Sequence, residues 1–418
     1  MTKRIAAIVL IFLGATAAWM ILGTTIFTRT YSSDDVAEKQ VESLWGASQQ
    51  QQPPIAYWQR LDKTKTQTGD KPPVEQIPLL LEASRLEVGL DLSHRQKGLL
   101  WYSTYKVAFA GVYTFRNATD EERLVNFQLS FPTSQAIYDD LVFTVNDAPI
   151  ALNNENNATW GAAKVAAGKT ATLKVGYRSQ GLDEWSYKFG NQVSQVKDFS
   201  LKLKTNFKEI DFPQNSLSPS EKHETADGWE LNWNYKNLLS GYEIALAMPE
   251  KLQPGPLAGR ISFFAPVSLF FFFFLMFIIT TLRGIELHPM NYFFLAAAFF
   301  SFHLLMAYLV DHVSLHTAFG AGALVSIFLV VSYLRLVVGL HFAVREAALA
   351  QFIYLVAFSY AFFLKGFTGL AITIGSILTL FVVMQATGRI RWADKFSGAP
   401  EKKLEDSTPP ENVSAVAE

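Results

Sequence analysis

Seven histidines and no cysteine bound the chemistry open to this 418-residue chain. Without thiols there are no disulfides, no thiolate metal sites and no cysteine nucleophile. Asp311-His312 and His316 fall together between two long apolar stretches. On a helix, histidines four residues apart share a face. With Asp311 as a third ligand they form a weak metal candidate, or an acid–base set at a membrane surface. The plainer reading is a hydrated loop that ends one helix, with Ser314 capping the next. His303 stands apart, inside an apolar stretch with no charged neighbour in sequence. Tyr292, eleven residues earlier, projects from the same helix face, and Ser301 adds a hydroxyl beside them. An ionisable side chain within a bilayer is a functional hypothesis by default. Its alternative is a neutral histidine that hydrogen-bonds a neighbouring helix. His288 is a further loop candidate. The sequence has no His-Glu-x-x-His, no Gly-x-Ser-x-Gly and no glycine-rich phosphate loop. No catalytic residue, metal site, cofactor or cofactor-binding residue is therefore assigned, and the chain reads as a non-enzyme.

These residues must be positioned by membrane helices. Half the residues are hydrophobic and 17% are charged, with the apolar residues gathered into blocks. A spanning helix needs ~20 apolar residues. Ile5–Phe27, Ile261–Leu282, Pro289–Val310, Thr317–Leu334, Ala347–Leu364 and Gly366–Gly388 qualify, giving six spans. Basic residues in short flanks set orientation. With the N-terminus inside, the inner flanks hold Lys3, Arg4, Arg283, Arg335, Arg345, Arg389, Arg391 and Lys395. The outer short flanks hold only Arg260 and Lys365. The expectation is a bacterial inner-membrane protein with both termini cytoplasmic and residues 28–260 periplasmic. The first apolar run is too long for a signal-peptide core and reads as an uncleaved anchor. A net charge of -1 offers no basic face for nucleic acid.

The segment between spans one and two alternates with period two, the pattern of half-wet strands. Leu86, Val88, Leu90 and Leu92 form one such face. So do Val125, Phe127, Leu129 and Phe131; Leu141, Phe143 and Val145; and Trp229, Leu231, Trp233 and Tyr235. Asn146-Asp147 reads as a hairpin turn. The fold expected is a mixed membrane protein: an N-terminal transmembrane helix, an exported β-sandwich-like domain and a C-terminal bundle of five transmembrane helices. Its divisions are an anchor over 1–30, a helix and flexible linker over 31–73 and a β-rich domain over 74–258. The helical bundle follows over 259–395, and a disordered cytoplasmic tail over 396–418. Ser33 would cap the short helix, and Gln49–Pro54 and Lys63–Pro73 read as linker.

Several motifs carry a resemblance. Leu287-His288-Pro289-Met290-Asn291-Tyr292 opens a span, Val310-Asp311-His312-Val313 follows one, and Arg389-Ile390-Arg391-Trp392 closes the last. With Arg95-x-x-Gly98, Tyr105 and Gly111, they resemble the CreD family of bacterial inner-membrane proteins, associated with cell-envelope integrity. The resemblance is best over roughly 261–395. It implies six spans around an exported domain and no established chemistry. This chain departs from the family in the placement of the acid at Val310-Asp311. It departs again at Arg391, where the family tends to carry Asp before the closing Trp.

The leading expectation is a non-catalytic envelope protein whose exported β domain binds a partner protein or ligand, with membrane lipids around its helices. It would support envelope integrity or a stress response. One alternative is a small transporter or lipid-handling protein using a polar spot at His303. Another is an outer-leaflet enzyme using Asp311, His312 and His316. The sequence leaves oligomeric state open.

Overall fold

The computed structural model describes residues 2–32, 34–61, 74–98, 100–190 and 192–388. The expected cap at Ser33, the linker over 63–73, the closing Arg389–Trp392 motif and the tail over 396–418 lie outside them. The chain divides into two compact units: Met1–Thr25 with Leu257–Glu418, and Ile26–Pro256.

The first unit is helical. Helix α1 runs Thr2–Tyr31, crossing into the second unit at its end. That second unit begins with a short α2, Asp34–Trp45. In the first unit follow α3, Pro254–Leu282, α4, Pro289–Leu309, and α5, Leu315–Val337. Next come α6 over Leu340–Phe363 and α7 over Thr368–Thr387. Six of these, all but α2, are long and apolar enough to cross a membrane. Phe264, Phe270 and Phe274 on α3 stay exposed, as lipid-facing residues do at no cost. Helix α6 is irregular: π-helical over Ala343–Ala347 and Phe352–Ala357, then 3-10 over Ala361–Phe363. It begins before Ala347, the residue at which apolar composition alone starts it.

The second unit is built on strands. In order they are β1 Gln49–Gln51, β2 Ile55–Leu61, β3 Val74–Pro78, β4 Leu80–Lys97 and β5 Leu100–Arg116. Then come β6 Arg123–Ser130, β7 Asp139–Val145, β8 Ala148–Pro149, β9 Asn153–Glu155, β10 Ala158–Val165 and β11 Thr170–Leu182. The last are β12 Glu184–Tyr187, β13 Ser194–Thr205, β14 Glu221–Glu224, β15 Trp229–Ser240 and β16 Ile244–Ala247. An eight-stranded sheet has the order β14-β15-β13-β4-β5-β11-β7-β8, and a five-stranded sheet β3-β2-β6-β10-β9. A small third sheet is β1-β12-β16.

One hydrophobic core joins all three sheets. The large sheet gives Leu86, Val88, Leu90, Leu201, Leu203 and Trp233; the five-stranded sheet gives Val125, Phe127 and Leu129; the third gives Trp185, Tyr187 and Leu246. Phe115 and Phe127 meet edge to face across the two larger sheets at 5.9 Å. The alternation read from sequence is thus the inner face of a sandwich. Asn146 and Asp147, at φ 51 and 63, make the hairpin turn from β7 to β8. A Cβ on Gly181 would strike the Tyr105 ring, so only glycine fits there.

Several readings are corrected. Leu141 is 37% exposed: the pairing of β7 with β11 shifts register between Gly176 and Arg178, around Leu141, and only Phe143 and Val145 of the three reach the core. Within the otherwise antiparallel large sheet, β13 pairs with β4 in parallel, Phe199 opposite Ser84. Gln49–Gln51 is no linker but a strand parallel to β12. Gln49 and Gln51 are buried because both find partners: Tyr177 donates to Gln51 Oε1 at 2.6 Å, and Gln49 Nε2 donates to the Gln180 carbonyl at 2.7 Å.

Helix α2 rests on β5 and β11 through a smaller cluster of Val41, Leu100, Tyr102 and Leu182. Tyr102 donates to Asp34 at 2.9 Å, and the Arg95 guanidinium sits 3.5 Å from the Trp45 ring centroid.

Candidate functional site among the membrane helices

Helix α4 carries the residues singled out from sequence. His288 is its N-cap, with Nδ1 accepting from the Met290 N–H at 3.2 Å and Pro289 in the first turn. The Leu287–Tyr292 motif is therefore in part a capping device. Leu287 is buried beneath it, and Asn291 accepts from Tyr333 on α5 at 2.7 Å.

Tyr292 is fully buried, its ring edge-on to Phe273 of α3 at 5.2 Å. Its hydroxyl lies beside Thr280 and the Arg4 guanidinium without a hydrogen bond of normal geometry. One helix face does carry both Tyr292 and His303, but eleven residues separate them by ~16 Å. They are two spots, not one site. Ser301 joins neither, since its hydroxyl donates to the Ala298 carbonyl of its own helix at 2.7 Å.

His303 is fully buried. Its Nδ1 lies 3.1 Å from the Phe299 carbonyl. A carbonyl only accepts, so Nδ1 carries the proton and Nε2 is a bare acceptor. Nε2 has no partner among the described residues, and neither does the Nε1–H of Trp19, a donor. The two rings meet edge on, centroids 5.5 Å apart, with Phe302 closing the far side of the imidazole at 4.8 Å. An unpaired donor on α1 and an unpaired acceptor on α4 thus belong to two rings in contact, in surroundings where such groups are costly.

On another face of α4 a hydrogen-bonded chain crosses three helices. Gln351 of α6 donates through Nε2 to Ser326 of α5 at 2.7 Å, and Ser326 donates to the Ala298 carbonyl at 2.5 Å. All is buried, and Gln351 Oε1 remains without a partner among the described residues. A Cβ at Gly322 would lie 3.1 Å from the Phe302 carbonyl, so glycine sets the close approach of α4 and α5. The π-turns of α6 place the polar residues of that span: Glu346, ion-paired with Arg283 at 2.5 Å, and Tyr354, bonded to Thr379 at 2.9 Å. Glu346 and Gln351 escaped the sequence reading, although a polar residue within or at the lip of an apolar run was the signal that singled out His303.

The residues around the α4–α5 loop do not converge. His312 sits in the turn that ends α4, while Ser314 caps α5 and accepts from the Thr317 N–H at 3.3 Å. His316 therefore belongs to the next helix, its ring 5.2 Å from Phe363. Asp311, His312 and His316 are all exposed. The helical spacing that a shared metal requires is broken by the cap at Ser314. Among the described residues no group of three His, Asp or Glu side chains is placed to hold a metal ion.

In the β unit one carboxyl is strongly perturbed. Asp183, at φ 61 between β11 and β12, is pushed up to about 6 by burial first, then by the charges of Glu38, Glu250 and Glu42. The Ser103 carbonyl accepts its N–H at 3.0 Å, and its own carbonyl accepts from Met248 at 2.7 Å.

Comparison with known proteins gives a family and little else. None of the curated proteins matches. Among solved structures, a protein from Legionella pneumophila subsp. pneumophila str. Philadelphia 1, described as nutrient-binding, is 11% identical with a TM-score of 0.34. That match covers 54% of this chain and 76% of the other. An M1 zinc metallopeptidase from Deinococcus radiodurans is 8% identical with a TM-score of 0.26, covering 40% of this chain and 42% of that one. Likenesses this distant carry no argument about fold or chemistry. The family match is of another order: it runs through the anchor, the β unit and the helices alike, well beyond the C-terminal span on which the resemblance was best. The chain belongs to the family of the inner membrane protein CreD, whose model matches residues 1–393.

Proposed function

We propose that this protein is a non-catalytic envelope component whose β unit lies in the periplasm and binds a protein partner or ligand, supporting envelope integrity or a stress response. The observation that carries the reading is the surface of the β unit. Its core is closed by three sheets of its own. Yet Val193, Leu239 and Tyr242 stand 64%, 72% and 55% exposed where β13 begins and β15 ends. These large apolar side chains share one end of a hairpin whose strands pair Ser194 with Ser240. Clustered apolar exposure of this kind favours an interface.

Site-specific photocrosslinking from position 239 in intact membranes tests it. A discrete crosslinked adduct, lost when Val193 and Tyr242 are both changed to Ser, is the expected result. Adducts to lipid or solvent alone would remove the reading. A second reading, transport or lipid handling, is favoured by the unpaired Nε2 of His303, buried where its ring meets Trp19. It needs a polar path that Ser301 and Tyr292 do not extend.

A further inference from the structure

Arg4 is a cation without an anion among the described residues. It lies in the first turn of α1, and its guanidinium Nε and Nη2 are buried with no hydrogen-bond partner there. The nearest polar groups recorded for it are neutral, the Tyr292 hydroxyl and its neighbour Thr280. The acid of the adjoining helices, Glu346, is engaged by Arg283. A half-buried guanidinium is stable only when a counter-charge satisfies it. Its planar donor fork suits carboxylate or phosphate oxygens.

Beside Arg4 begins a groove of about 460 Å³ between α1 and α3. Its walls are apolar throughout: Ile5, Val9 and Phe12 on one side, Phe270, Phe273 and Phe277 on the other. Phe273 is also the ring packed on Tyr292, so the cation and the groove share a wall. A charged group at one end of an open hydrocarbon slot is the shape of a lipid. Basic pockets between membrane helices on the cytoplasmic side bind anionic headgroups.

We infer that the α1–α3 groove holds one net-anionic phospholipid, with its phosphate on Arg4 and an acyl chain along the phenylalanines of α3. The charge complementarity selects this occupant over a zwitterionic lipid, whose ammonium group would meet the same cation. The site is independent of the partner surface on the β unit and stands or falls separately from it.

Native mass spectrometry of the full chain, stripped of lipid in neutral detergent, tests the inference with phosphatidylglycerol and phosphatidylcholine as probes. Phosphatidylglycerol is expected to be retained in one-to-one stoichiometry and phosphatidylcholine not. Arg4→Gln should lower that retention tenfold or more. Lys3→Gln removes an equal charge one residue away, from an exposed side chain. It should cost no more than the about fivefold that a basic residue contributes at an anionic surface. Val9→Trp, which fills the slot and leaves Arg4 in place, should also release the lipid. The lipid-free melting temperature of each variant separates lost binding from lost folding. Equal retention of the two lipids, or equal losses from Arg4→Gln and Lys3→Gln, would make this an ordinary lipid-facing surface and overturn the site.

Discussion

At the scale of single residues, His303 is worth testing because it is packed between helices yet makes no hydrogen bond across them among the described residues. Among the described residues its one hydrogen bond runs to a carbonyl of its own helix, so its contact with α1 is the ring of Trp19 alone. Interhelical polar contacts in membranes average only ~0.6 kcal/mol even when made, and this one is not made. Leucine occupies a similar volume between Trp19 and Phe302 without an unpaired nitrogen. His303→Leu should therefore leave the detergent melting curve unchanged or slightly raised, and abolish rescue of an envelope-stress phenotype in a deletion strain. A lowered melt with rescue intact would make His303 a packing residue and leave the transport reading without an anchor. Trp233 is the opposite case. It is fully buried, and its Nε1–H donates to the Leu217 carbonyl at 2.9 Å. Trp233→Ala should cost ~3–5 kcal/mol, measured by denaturant unfolding of residues 34–253 expressed alone. A loss under ~1 kcal/mol would mean that this face of β15 is not core.

At the scale of elements, legibility in the sequence followed the strength of the hydrophobic period. The strands β4, β6 and β15 and all six long helices announce themselves by alternation or by apolar runs. Gln49–Gln51 could not, because its burial rests on amide hydrogen bonds to distant strands rather than on apolar side chains. The π-turns of α6 are equally silent, since nothing in composition distinguishes a five-residue hydrogen bond from a four-residue one. Among the site residues, Ser314 was legible as a cap, whereas His288 read only as a loop residue although it caps α4. The neighbours of His303 were not, because Trp19 comes from a helix almost three hundred residues away in sequence. The seat of α2 adds a prediction that no period could supply. Raising the Asp183 carboxyl to about 6 means that the folded state holds a proton there which the unfolded chain, near 3.8, releases. Its stabilising contribution is complete below the unfolded value and is lost as pH rises through about 6. Glu38, Glu42 and Glu250 face it with like charge, and Arg95 and Tyr102 hold the same helix from other sides. Residues 34–253 should melt higher at pH 5 than at pH 7, and Asp183→Asn should flatten that difference by raising the pH 7 value. A variant with the slope of the parent would assign the pH dependence elsewhere.

At the scale of the whole molecule, the remaining prediction is the way the chain crosses the membrane. If all six apolar helices cross, every connecting segment alternates sides. Orientation is then one binary choice, set by Lys and Arg in the short flanks. With the N-terminus inside, Lys3, Arg4, Arg283, Arg335 and Arg345 fall in the cytoplasm, together with Arg389, Arg391 and Lys395. The reverse would leave Arg260 and Lys365 as the only short-flank basic residues inside. The β unit follows the first span and so takes the opposite side from Lys3. It carries two strand edges on each large sheet and the exposed apolar end at Leu239, features of a domain that meets partners. The same orientation sets Arg4 at the inner leaflet, on the side where anionic headgroups attract basic residues. Alkaline phosphatase and green fluorescent protein fusions read opposite sides and so test each segment in pairs. Phosphatase activity is expected after Pro256, Asp311 and Lys365, and fluorescence after Arg283, Arg345 and Trp392. Phosphatase activity after Trp392 would mean an odd number of crossings, so that one of the six helices lies within the membrane surface. The weakest by burial and by polar anchoring is α7, held among the described residues chiefly through Thr379 to Tyr354.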